Sequence, residues 1–251
     1  MPASHSTLPG TIDLAGRRAL VTGAARGIGA ATAYALSELG AHIVGTDVLP
    51  LDDITARIEA RGGTFESVRG DLTDDTFRES LLGLGPFFSV AHVAGVFQAP
   101  AELSDKARFD HVMDVNVRCA VRLASAAVDQ MAEFGEGYVV LVGSLAGRSG
   151  GTLANDSLDY ANYAASKGAL HSAVRWLSRR AITHGVRVNG VAPGGVRTPL
   201  TENVTFDPDA FPLGRIGNPE EIGWPIALLA TPAAGFVSGA ILDVNGGVWV
   251  G

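Results

Sequence analysis

Apolar residues recur along the chain in two patterns that alternate from beginning to end. Short apolar runs bounded by glycine, proline or polar residues predict β-strands, and longer stretches with apolar positions three and four residues apart predict helices. The predicted strands cover residues 18–23, 42–47, 65–71, 88–95, 138–144, 186–193 and 240–244. The predicted helices cover residues 28–39, 52–61, 74–82, 106–133, 161–183 and 219–230.

Several of these strands are continuous apolar runs, which predicts burial on both faces. Strands that alternate with helices form parallel βαβ units with right-handed crossovers. We therefore predict one α/β domain, residues 11–251, with a doubly wound parallel sheet of about seven strands and helices on both faces. Residues 1–10, rich in proline, serine and glycine, are predicted to form a flexible tail.

Composition narrows the class of function. Of the 251 residues, 47% are hydrophobic and 18% are charged, which supports a large core and excludes a disordered chain. The net charge of −7 argues against a nucleic-acid partner, because phosphate binding needs a basic surface. The first residues lack the basic start and apolar run of a secretory signal, and we expect a cytoplasmic protein.

Two features of the sequence, an uncharged stretch and a single cysteine, resemble functional sites but are better explained as parts of the core. Residues 222–242 carry no charge and are long enough to span a bilayer. Prolines and glycines divide this stretch, so we favour a buried helix, a turn and a strand, and expect no membrane partner. The single cysteine, Cys119, excludes an intrachain disulfide, and we interpret it as a small buried residue in preference to a reactive thiol.

A glycine-rich turn joins the first predicted strand to the first predicted helix in "LVTGAARGIGAATAYAL", residues 20–36. Gly23, Gly27 and Gly29 allow positive φ and let the backbone approach a pyrophosphate, while the helix N-terminus supplies amides and partial positive charge. The spacing differs from the general dinucleotide fingerprint G-x-G-x-x-G. A tight turn needed only for packing is the alternative at this point.

Two carboxylates at strand ends favour a dinucleotide. Asp47 ends the second strand, where a carboxylate accepts hydrogen bonds from ribose hydroxyls, and Asp71 ends the third strand, near the expected position of the adenine. A carboxylate at position 47 repels the 2′-phosphate of NADP, so we favour NAD. Arg26 is the opposing observation, because a guanidinium beside the ribose is suited to a phosphate.

Tyr163 and Lys167 lie one turn apart on the apolar side of a predicted helix. A buried lysine is costly unless it is paired or hydrogen-bonded. A neighbouring ammonium lowers the pKa of a phenol toward neutral pH, which suits general acid–base catalysis. The alternative is that Lys167 extends to solvent beside a structural tyrosine.

Two further polar residues complete a candidate set. Ser144 ends the fifth strand, where its hydroxyl is able to hydrogen-bond a substrate oxygen at the ligand-bearing edge of the sheet. Asn116 falls inside a long predicted helix, where its amide requires a partner or a water. Each residue alone is more often structural, and the ordered set is what favours catalysis.

Over residues 12–251 the chain resembles the short-chain dehydrogenase/reductase family, in its short single-domain branch with a Rossmann fold. The motifs that carry the resemblance are "TGAARGIG" (22–29), Asp71 in "GDL", "AG" (94–95), Asn116, Ser144, "YAASK" (163–167), "RVNGVAPGGVRTP" (187–199), "PLGRIGNPEEI" (212–222) and "DVNGG" (243–247).

The resemblance implies a role for each matching residue. Tyr163 is expected to be the general acid–base group, and Lys167 to lower its pKa and bind the nicotinamide ribose. Ser144 is expected to position the substrate oxygen, and Asn116 to hold a water that relays protons. The residues expected to bind the cofactor are Gly23, Arg26, Gly27, Ile28, Gly29, Asp47, Asp71, Leu72, Ala94, Gly95, Tyr163, Lys167, Pro193, Gly194, Val196 and Thr198. No metal site is predicted.

The chain departs from the family in three places. His92-Val93 stands before Ala-Gly where many relatives have two asparagines, so a side chain that braces the sheet is missing, and we interpret His92 as a satisfied core histidine. The loop between Ser144 and Tyr163 is longer than usual. The stretch from Thr198 to the proline at 212, where relatives often carry helices that cover the substrate, is short.

Residues after three strands suggest the substrate. The predicted pocket residues are Val96, Phe97, Gln98, Leu145, Leu153, Val196, Phe206 and Phe211. Most are apolar or aromatic, so we predict a secondary alcohol or ketone on a small, mostly hydrophobic or cyclic skeleton. Arg148 is a candidate for binding an acidic substrate group, although a solvated loop position fits it better.

Two alternatives stay open. One is an NADP-dependent ketoreductase, such as a 3-oxoacyl-thioester reductase, and the other is a non-catalytic dinucleotide sensor or scaffold on the same fold. By resemblance we expect a homotetramer, with a dimer as the other possibility. The helices at 106–133 and 161–183 would form one interface, where alanines at 164, 165, 169 and 173 permit close approach.

Overall fold

Seven parallel strands form one sheet in the computed structural model, which describes residues 12–151, 157–202 and 211–251. The strands are β1 (Arg18–Thr22), β2 (His42–Asp47), β3 (Thr64–Arg69), β4 (Ser89–His92), β5 (Gly137–Val142), β6 (Val186–Pro193) and β7 (Ile241–Val244). Their order across the sheet is β3-β2-β1-β4-β5-β6-β7, and every neighbouring pair is parallel. The predicted α/β fold is therefore confirmed.

Helices fill the connections between the strands. They are α1 (Gly27–Glu38), α2 (Asp52–Glu59), α3 (Asp75–Gly83), α4 (Asp105–Met113), α5 (Cys119–Phe134), α6 (Ala146–Ser149), α7 (Leu158–Ala181) and α8 (Pro219–Leu229). Short 3₁₀ turns cover Ile182–His184, Pro199–Thr201 and Pro232–Ala234.

The central strands β1, β4 and β5 are buried on both faces, as their apolar runs predict. Within β1, Ala19 and Val21 pack into one hydrophobic cluster, while Leu20 packs into the other. The first cluster includes residues of α1, α2 and α8, and the second includes residues of α3, α5 and α7. Helices therefore cover both faces of the sheet.

The strand order places a crevice between β1 and β4. From β1 the chain proceeds through β2 to β3 at one edge, and from β4 it proceeds through β5 and β6 to β7 at the other. Ligands of open parallel sheets bind at such a switch point, outside the carboxyl ends of the strands. The turn at Gly23 and the segment after His92 meet there.

The long helix predicted over residues 106–133 is interrupted in the structure. Between α4 and α5 lies one turn of π-helix, Asp114–Arg118, which contains Asn116. A π turn inserts about one extra residue into a helix and is often found at functional sites. Asn116 is fully buried there, with its side chain hydrogen-bonded to neighbouring segments.

Strand β4 is shorter than predicted, because the chain leaves the sheet after His92. The Thr22 hydroxyl at the end of β1 accepts hydrogen bonds from the N–H groups of Val93 and Ala94, both at 3.1 Å. A side chain thus replaces the strand partner of these two amides, and residues 93–95 turn into the crevice.

The uncharged stretch at residues 222–242 forms most of α8, a 3₁₀ turn and the start of β7, as we favoured. Among the described helices, none has the length and hydropathy needed to cross a bilayer. The predicted flexible tail, residues 1–10, lies outside the described residues, as do Leu153 and Phe206.

Candidate active site

A cleft of about 360 Å³ lies over the carboxyl ends of the strands at the switch point. All of the residues predicted to bind a cofactor line it: Gly23, Arg26, Gly27, Ile28, Gly29, Asp47, Asp71, Leu72, Ala94, Gly95, Tyr163, Lys167, Pro193, Gly194, Val196 and Thr198. We call the end that contains Asp47 and Asp71 the acidic end, and the end that contains Ser144, Tyr163 and Lys167 the tyrosine end.

The glycine turn is shaped by close backbone approach. Gly23 has φ of 67°, and a Cβ there would lie 2.8 Å from the backbone of Ala94. A Cβ at Gly29 would lie 1.9 Å from the Gly23 carbonyl oxygen. Side chains at these positions would fill the crevice, whereas glycines leave the first turn of α1 open toward the cleft, as a pyrophosphate requires.

The carboxylate of Asp47 is held at the acidic end of the cleft. Its Oδ2 accepts from the backbone N–H of Ala25 at 3.1 Å, and its Oδ1 accepts from the N–H of Leu49 at 3.0 Å. A carboxylate oxygen has more than one acceptor site, so each oxygen is still able to accept from a ribose hydroxyl. Arg26 lies at the rim and is exposed.

Sequence reasoning missed several residues of the acidic end. Val48, Leu49, Gly70, Thr73, Val115 and Cys119 also line the cleft. Val48 and Leu49 directly follow Asp47, so their positions in the sequence indicate that they lie near the cleft. Val115 and Cys119 come from the π turn and α5, where the sequence gives no such indication. Cys119 is buried, as predicted, and burial raises the pKa of its thiol, which keeps it protonated and unreactive.

Lys167 is buried beneath the tyrosine end of the cleft. It is 4% exposed, and its Nζ donates to the carbonyl oxygen of Val142, the last residue of β5, at 3.0 Å. Burial lowers the pKa of this ammonium to about 8. Solvent exposure of Lys167, the alternative left open by the sequence, is therefore wrong.

The Tyr163 phenol does not have the lowered pKa that its lysine neighbour predicts. Burial raises its pKa, and hydrogen bonding to Ser144 opposes that rise. The Nζ of Lys167 lies 5.6 Å from the centre of the phenol ring and is engaged by a carbonyl. Desolvation therefore dominates here, and the predicted lowering by Lys167 is wrong for this structure.

Asn116 links the loop after β4 to α7, the helix that carries Tyr163 and Lys167. Its Nδ2 donates to the Val96 carbonyl and to the Ser166 hydroxyl, both at 2.9 Å, and its Oδ1 accepts from the Val96 N–H at 2.8 Å. Ser166 in turn donates to the Tyr163 carbonyl at 2.7 Å. The Asn116 side chain thus positions Tyr163, with both of its N–H donors already used by protein groups.

Gly95 lies where the side chains of Asn116 and Lys167 converge. A Cβ at this position would be 3.1 Å from Asn116 Oδ1 and 3.2 Å from Lys167 Nζ. The Asn116 amide and the Lys167 ammonium are therefore neighbours, separated by a space that any side chain at position 95 would occupy. Ser144, on the opposite side, accepts from the Ala146 N–H at 3.1 Å and faces the cleft.

Comparison with known proteins identifies the family. A family model described as enoyl-(acyl carrier protein) reductase matches residues 23–249. The chain is 36% identical to the cis-4-hydroxycyclohexanecarboxylate dehydrogenase of Sinomonas cyclohexanicum, over 92% of this chain and 96% of that protein. It is 32% identical to a 3-oxoacyl-[acyl-carrier-protein] reductase of Pseudomonas aeruginosa, over 95% and 100%. The chain belongs to the short-chain dehydrogenase/reductase family.

Solved structures of family members agree in fold. A candidate NAD(P)-dependent gluconate 5-dehydrogenase from Beutenbergia cavernae, with NADP bound, superimposes with a TM-score of 0.86 at 32% identity, covering 95% of this chain and 99% of that one. Of further similar structures, two hold NADP and one holds NADH. This short-chain dehydrogenase/reductase is thus an oxidoreductase of alcohol and ketone groups whose cleft suits a dinucleotide.

Three aromatic rings adjoin the tyrosine end of this short-chain dehydrogenase/reductase. The ring centroid of Phe97 lies 5.0 Å from that of Tyr163 and 5.8 Å from that of Tyr160. Tyr160 was not predicted, although it precedes Tyr163 by three residues and so shares its helix face. Gly151 makes room for it, because a Cβ there would lie 2.3 Å from the Tyr160 ring.

The predicted substrate pocket is only partly assembled by the described residues. Val96 and Val196 line the cleft, and Phe97 packs on Tyr163. Leu145 and Phe211 do not line the described cleft; the Leu145 N–H is bonded to the Pro193 carbonyl at 2.8 Å, and Phe211 lies in a turn closed by Gly214. Gln98 is exposed.

His92 is a core residue, but only half of its hydrogen-bonding capacity is used. Its Nδ1 lies 3.1 Å from the Thr22 hydroxyl, while its buried Nε2 has no partner among the described residues. Burial lowers its pKa to about 3, so the ring is neutral at physiological pH. Thr22 and His92 together brace the end of β4.

Arg148 forms its hydrogen bonds within the protein, in contrast to the two roles that the sequence suggested, binding of an acidic substrate group and exposure to solvent. Its Nε donates to Asp243 at 2.9 Å and its Nη2 donates to the Ile241 carbonyl at 2.8 Å. Both charged side chains are about one-fifth exposed, at 21% and 22%. Arg148 is therefore a structural tie between α6 and β7, and neither a substrate-binding group nor a solvated one.

Proposed function

We propose that the protein is an NAD-dependent dehydrogenase that interconverts a secondary alcohol and a ketone on a hydrophobic, cyclic small molecule. The observation that carries the proposal is the convergence of Ser144, Tyr163 and Lys167 at one end of a cleft whose other end is acidic. A protein that only binds a dinucleotide has no need of a proton donor, a hydroxyl and a buried ammonium at one point.

Each of these residues has a defined task. The Ser144 hydroxyl donates to the substrate oxygen, and the Tyr163 hydroxyl exchanges a proton with it. Lys167 holds a second proton below the cleft, and its pKa of about 8 permits exchange near neutral pH. Bound NAD supplies the hydride acceptor for alcohol oxidation, and its reduced form supplies the hydride donor for ketone reduction.

The raised pKa of Tyr163 gives the two directions different pH dependence. Below that pKa the phenol carries its proton and is ready to donate it to a ketone oxygen. Oxidation needs the deprotonated form, so its rate rises with pH through the alkaline range. Tyr163→Phe removes the proton and abolishes both directions. Unchanged turnover in this variant would favour the sensor or scaffold alternative.

Asp47 supports NAD over NADP. Its carboxylate is pinned by two backbone amides and cannot swing away from a 2′-phosphate without losing both hydrogen bonds. Bound NADP in several relatives and the exposed Arg26 argue for the opposite preference. Titration of NADH and NADPH into wild type and Asp47→Ala decides: we expect tighter NADH binding, and a shift toward NADPH in the variant. Wild type that prefers NADPH would support the 3-oxoacyl-thioester reductase alternative.

The aromatic group formed by Phe97, Tyr160 and Tyr163 supports a cyclic, hydrophobic substrate. Rings of this kind offer flat apolar surfaces on which a ring-shaped skeleton packs. The similarity to a dehydrogenase of a hydroxycyclohexanecarboxylate points the same way. A panel of cyclic alcohols, sugar acids and acyl thioesters, assayed with both cofactors, tests this. Turnover limited to sugar acids or thioesters would contradict the proposal.

We further propose a cytoplasmic homotetramer. Phe109 of α4 and Trp176 of α7 are 43% and 56% exposed, and Trp224 of α8 and Leu242 of β7 are 45% and 40% exposed. Such apolar side chains are typical of surfaces that a second copy covers. Light scattering on the purified chain should give four times the 25.9 kDa monomer mass, and a monomer would refute the interface.

A further inference from the structure

An arginine occupies the buried face of helix α3. The buried residues of this helix are Arg78, Leu81 and Leu82, which share one side at helical spacing. The Arg78 side chain is only 7% exposed. Burial of a guanidinium is unfavourable unless its donors are used, and an apolar side chain would fill such a position at no electrostatic cost. The hydrogen bonds of the Arg78 guanidinium must therefore explain why an arginine is buried at this position.

Arg78 holds the loop that forms the acidic end of the cleft. Its guanidinium donates to the main-chain carbonyl of Leu72 and to the Asp75 carboxylate. The N–H of the same peptide group, which belongs to Thr73, donates to Asp71 Oδ1 at 2.8 Å. One peptide is thus fixed at its oxygen by Arg78 and at its nitrogen by Asp71, so its orientation and that of the Asp71 carboxylate are coupled.

Other contacts also hold this loop, including main-chain hydrogen bonds from the Gly70 N–H to the Asp47 carbonyl at 3.0 Å and from the Asp74 N–H to the Asp71 carbonyl at 3.1 Å. Gly70 lies against the Phe77 ring, since a Cβ there would be 2.2 Å from a ring carbon. Arg118, from the π turn, donates to the Thr73 carbonyl at a long 3.4 Å and has a side chain that is 41% exposed. Solvent-exposed contacts of this length contribute little. The hydrogen bond from Arg78 to the loop is buried and charge-assisted, and it is therefore stronger than the one from Arg118.

We propose that Arg78 is a positioning residue for the adenine half of the dinucleotide. It orients the Leu72–Thr73 peptide, and through it the Asp71 carboxylate, so that the acidic end is preformed before the cofactor arrives. Preformed sites bind more tightly because ordering costs are met in the free protein. The proposal rests on the proposed function only in taking the acidic end as the adenine site, and it holds for NAD and NADP alike.

Arg78→Leu tests the proposal by separating the adenine half of the cofactor from the nicotinamide half. Leucine suits the apolar face of α3 but leaves the Leu72 carbonyl and the Asp75 carboxylate without this donor, so the thermal midpoint should fall. Binding of NADH and of ADP-ribose, which contains the adenine half, should weaken about tenfold in fluorescence and calorimetric titrations. Binding of reduced nicotinamide mononucleotide, which lacks that half, should not change. Arg78→Lys keeps the charge and should show a smaller loss of the same kind, including if the leucine variant does not fold.

Arg187→Leu is the matched control. Like Arg78, Arg187 makes two hydrogen bonds that include a main-chain carbonyl; both of its acceptors are carbonyls, those of Gly235 and Gly185, and it lies at the start of β6, away from the cleft. It should affect the thermal midpoint without affecting any of the three ligands. Equal weakening of all three by Arg78→Leu, or no weakening, would overturn the positioning role alone. Failure of the wild type to bind NADH or NADPH would overturn the proposed function as well.

Discussion

Replacement of Thr22 by valine tests the brace at the end of β4. The Thr22 hydroxyl is fully buried and accepts from the N–H groups of Val93 and Ala94, both at 3.1 Å. With both amides donating to it, the hydroxyl directs its own proton at Nδ1 of His92, 3.1 Å away. Valine has the same shape and removes all three hydrogen bonds at once.

The expected loss follows from the number of groups left without partners. Each neutral hydrogen bond contributes about 1 kcal/mol, and a buried group without a partner costs somewhat more. The two amides are partly buried and the His92 nitrogen is fully buried, so we expect Thr22→Val to lower the free energy of unfolding by about 3 kcal/mol. Affinity for NADH should fall too, because Ala94 lines the cleft.

Thr46 provides a control of the same chemistry. It is the register partner of Thr22 on β2 and is equally buried, but its hydroxyl has no partner among the described residues. Thr46→Val removes an unsatisfied polar group and should raise stability by about 1 kcal/mol. Urea unfolding at one fixed protein concentration measures both variants. Equal shifts of the same sign in the two variants would refute the assigned role of the Thr22 hydroxyl.

Three other predictions concern groups around the cleft. The pKa of Lys167 is about 8 in the folded chain and near 10.5 when unfolded, so the contribution of Lys167 to stability should rise with pH across that interval by about 3 kcal/mol, measured as the difference between wild type and Lys167→Met in unfolding titrations. Gly95→Ala places a methyl carbon 3.1 Å from Asn116 Oδ1 and should reduce kcat about tenfold in steady-state assays. Arg148→Leu breaks the pair with Asp243 and should cost about 2 kcal/mol in unfolding while leaving kcat unchanged, and a loss of kcat would return Arg148 to the substrate site.

The sequence predicted the architecture well because its signals are local. The seven predicted strands correspond to the seven observed strands, and the glycines at 23, 27 and 29 require the turn that the structure contains. The sequence could not predict the π turn around Asn116, since one inserted residue hardly disturbs helical spacing. The early end of β4 depends on a hydroxyl of β1, which contacts residues 71 and 72 positions away along the chain.

The residues of the candidate site also fall into those that the sequence predicts and those that it does not. Residues with chemistry at strand ends, such as Asp47 and Ser144, were found because their positions follow from the parallel sheet. Tyr160 and Arg78 were missed, because a single sequence does not distinguish an aromatic or basic side chain turned toward a cleft from one turned toward water. The raised pKa of Tyr163 was also missed, because desolvation depends on the packing around the phenol.

The two cations buried beneath the cleft differ in a way that matches their positions. Arg78 donates to the Leu72 carbonyl beyond β3, and Lys167 donates to the Val142 carbonyl at the end of β5. A guanidinium keeps its proton at any physiological pH, so it serves only as a permanent donor and suits the end where no proton moves. Burial brings the pKa of the Lys167 ammonium to about 8, which allows it to release and regain a proton. Lysine is therefore the cation suited to the end where we propose that the chemistry occurs.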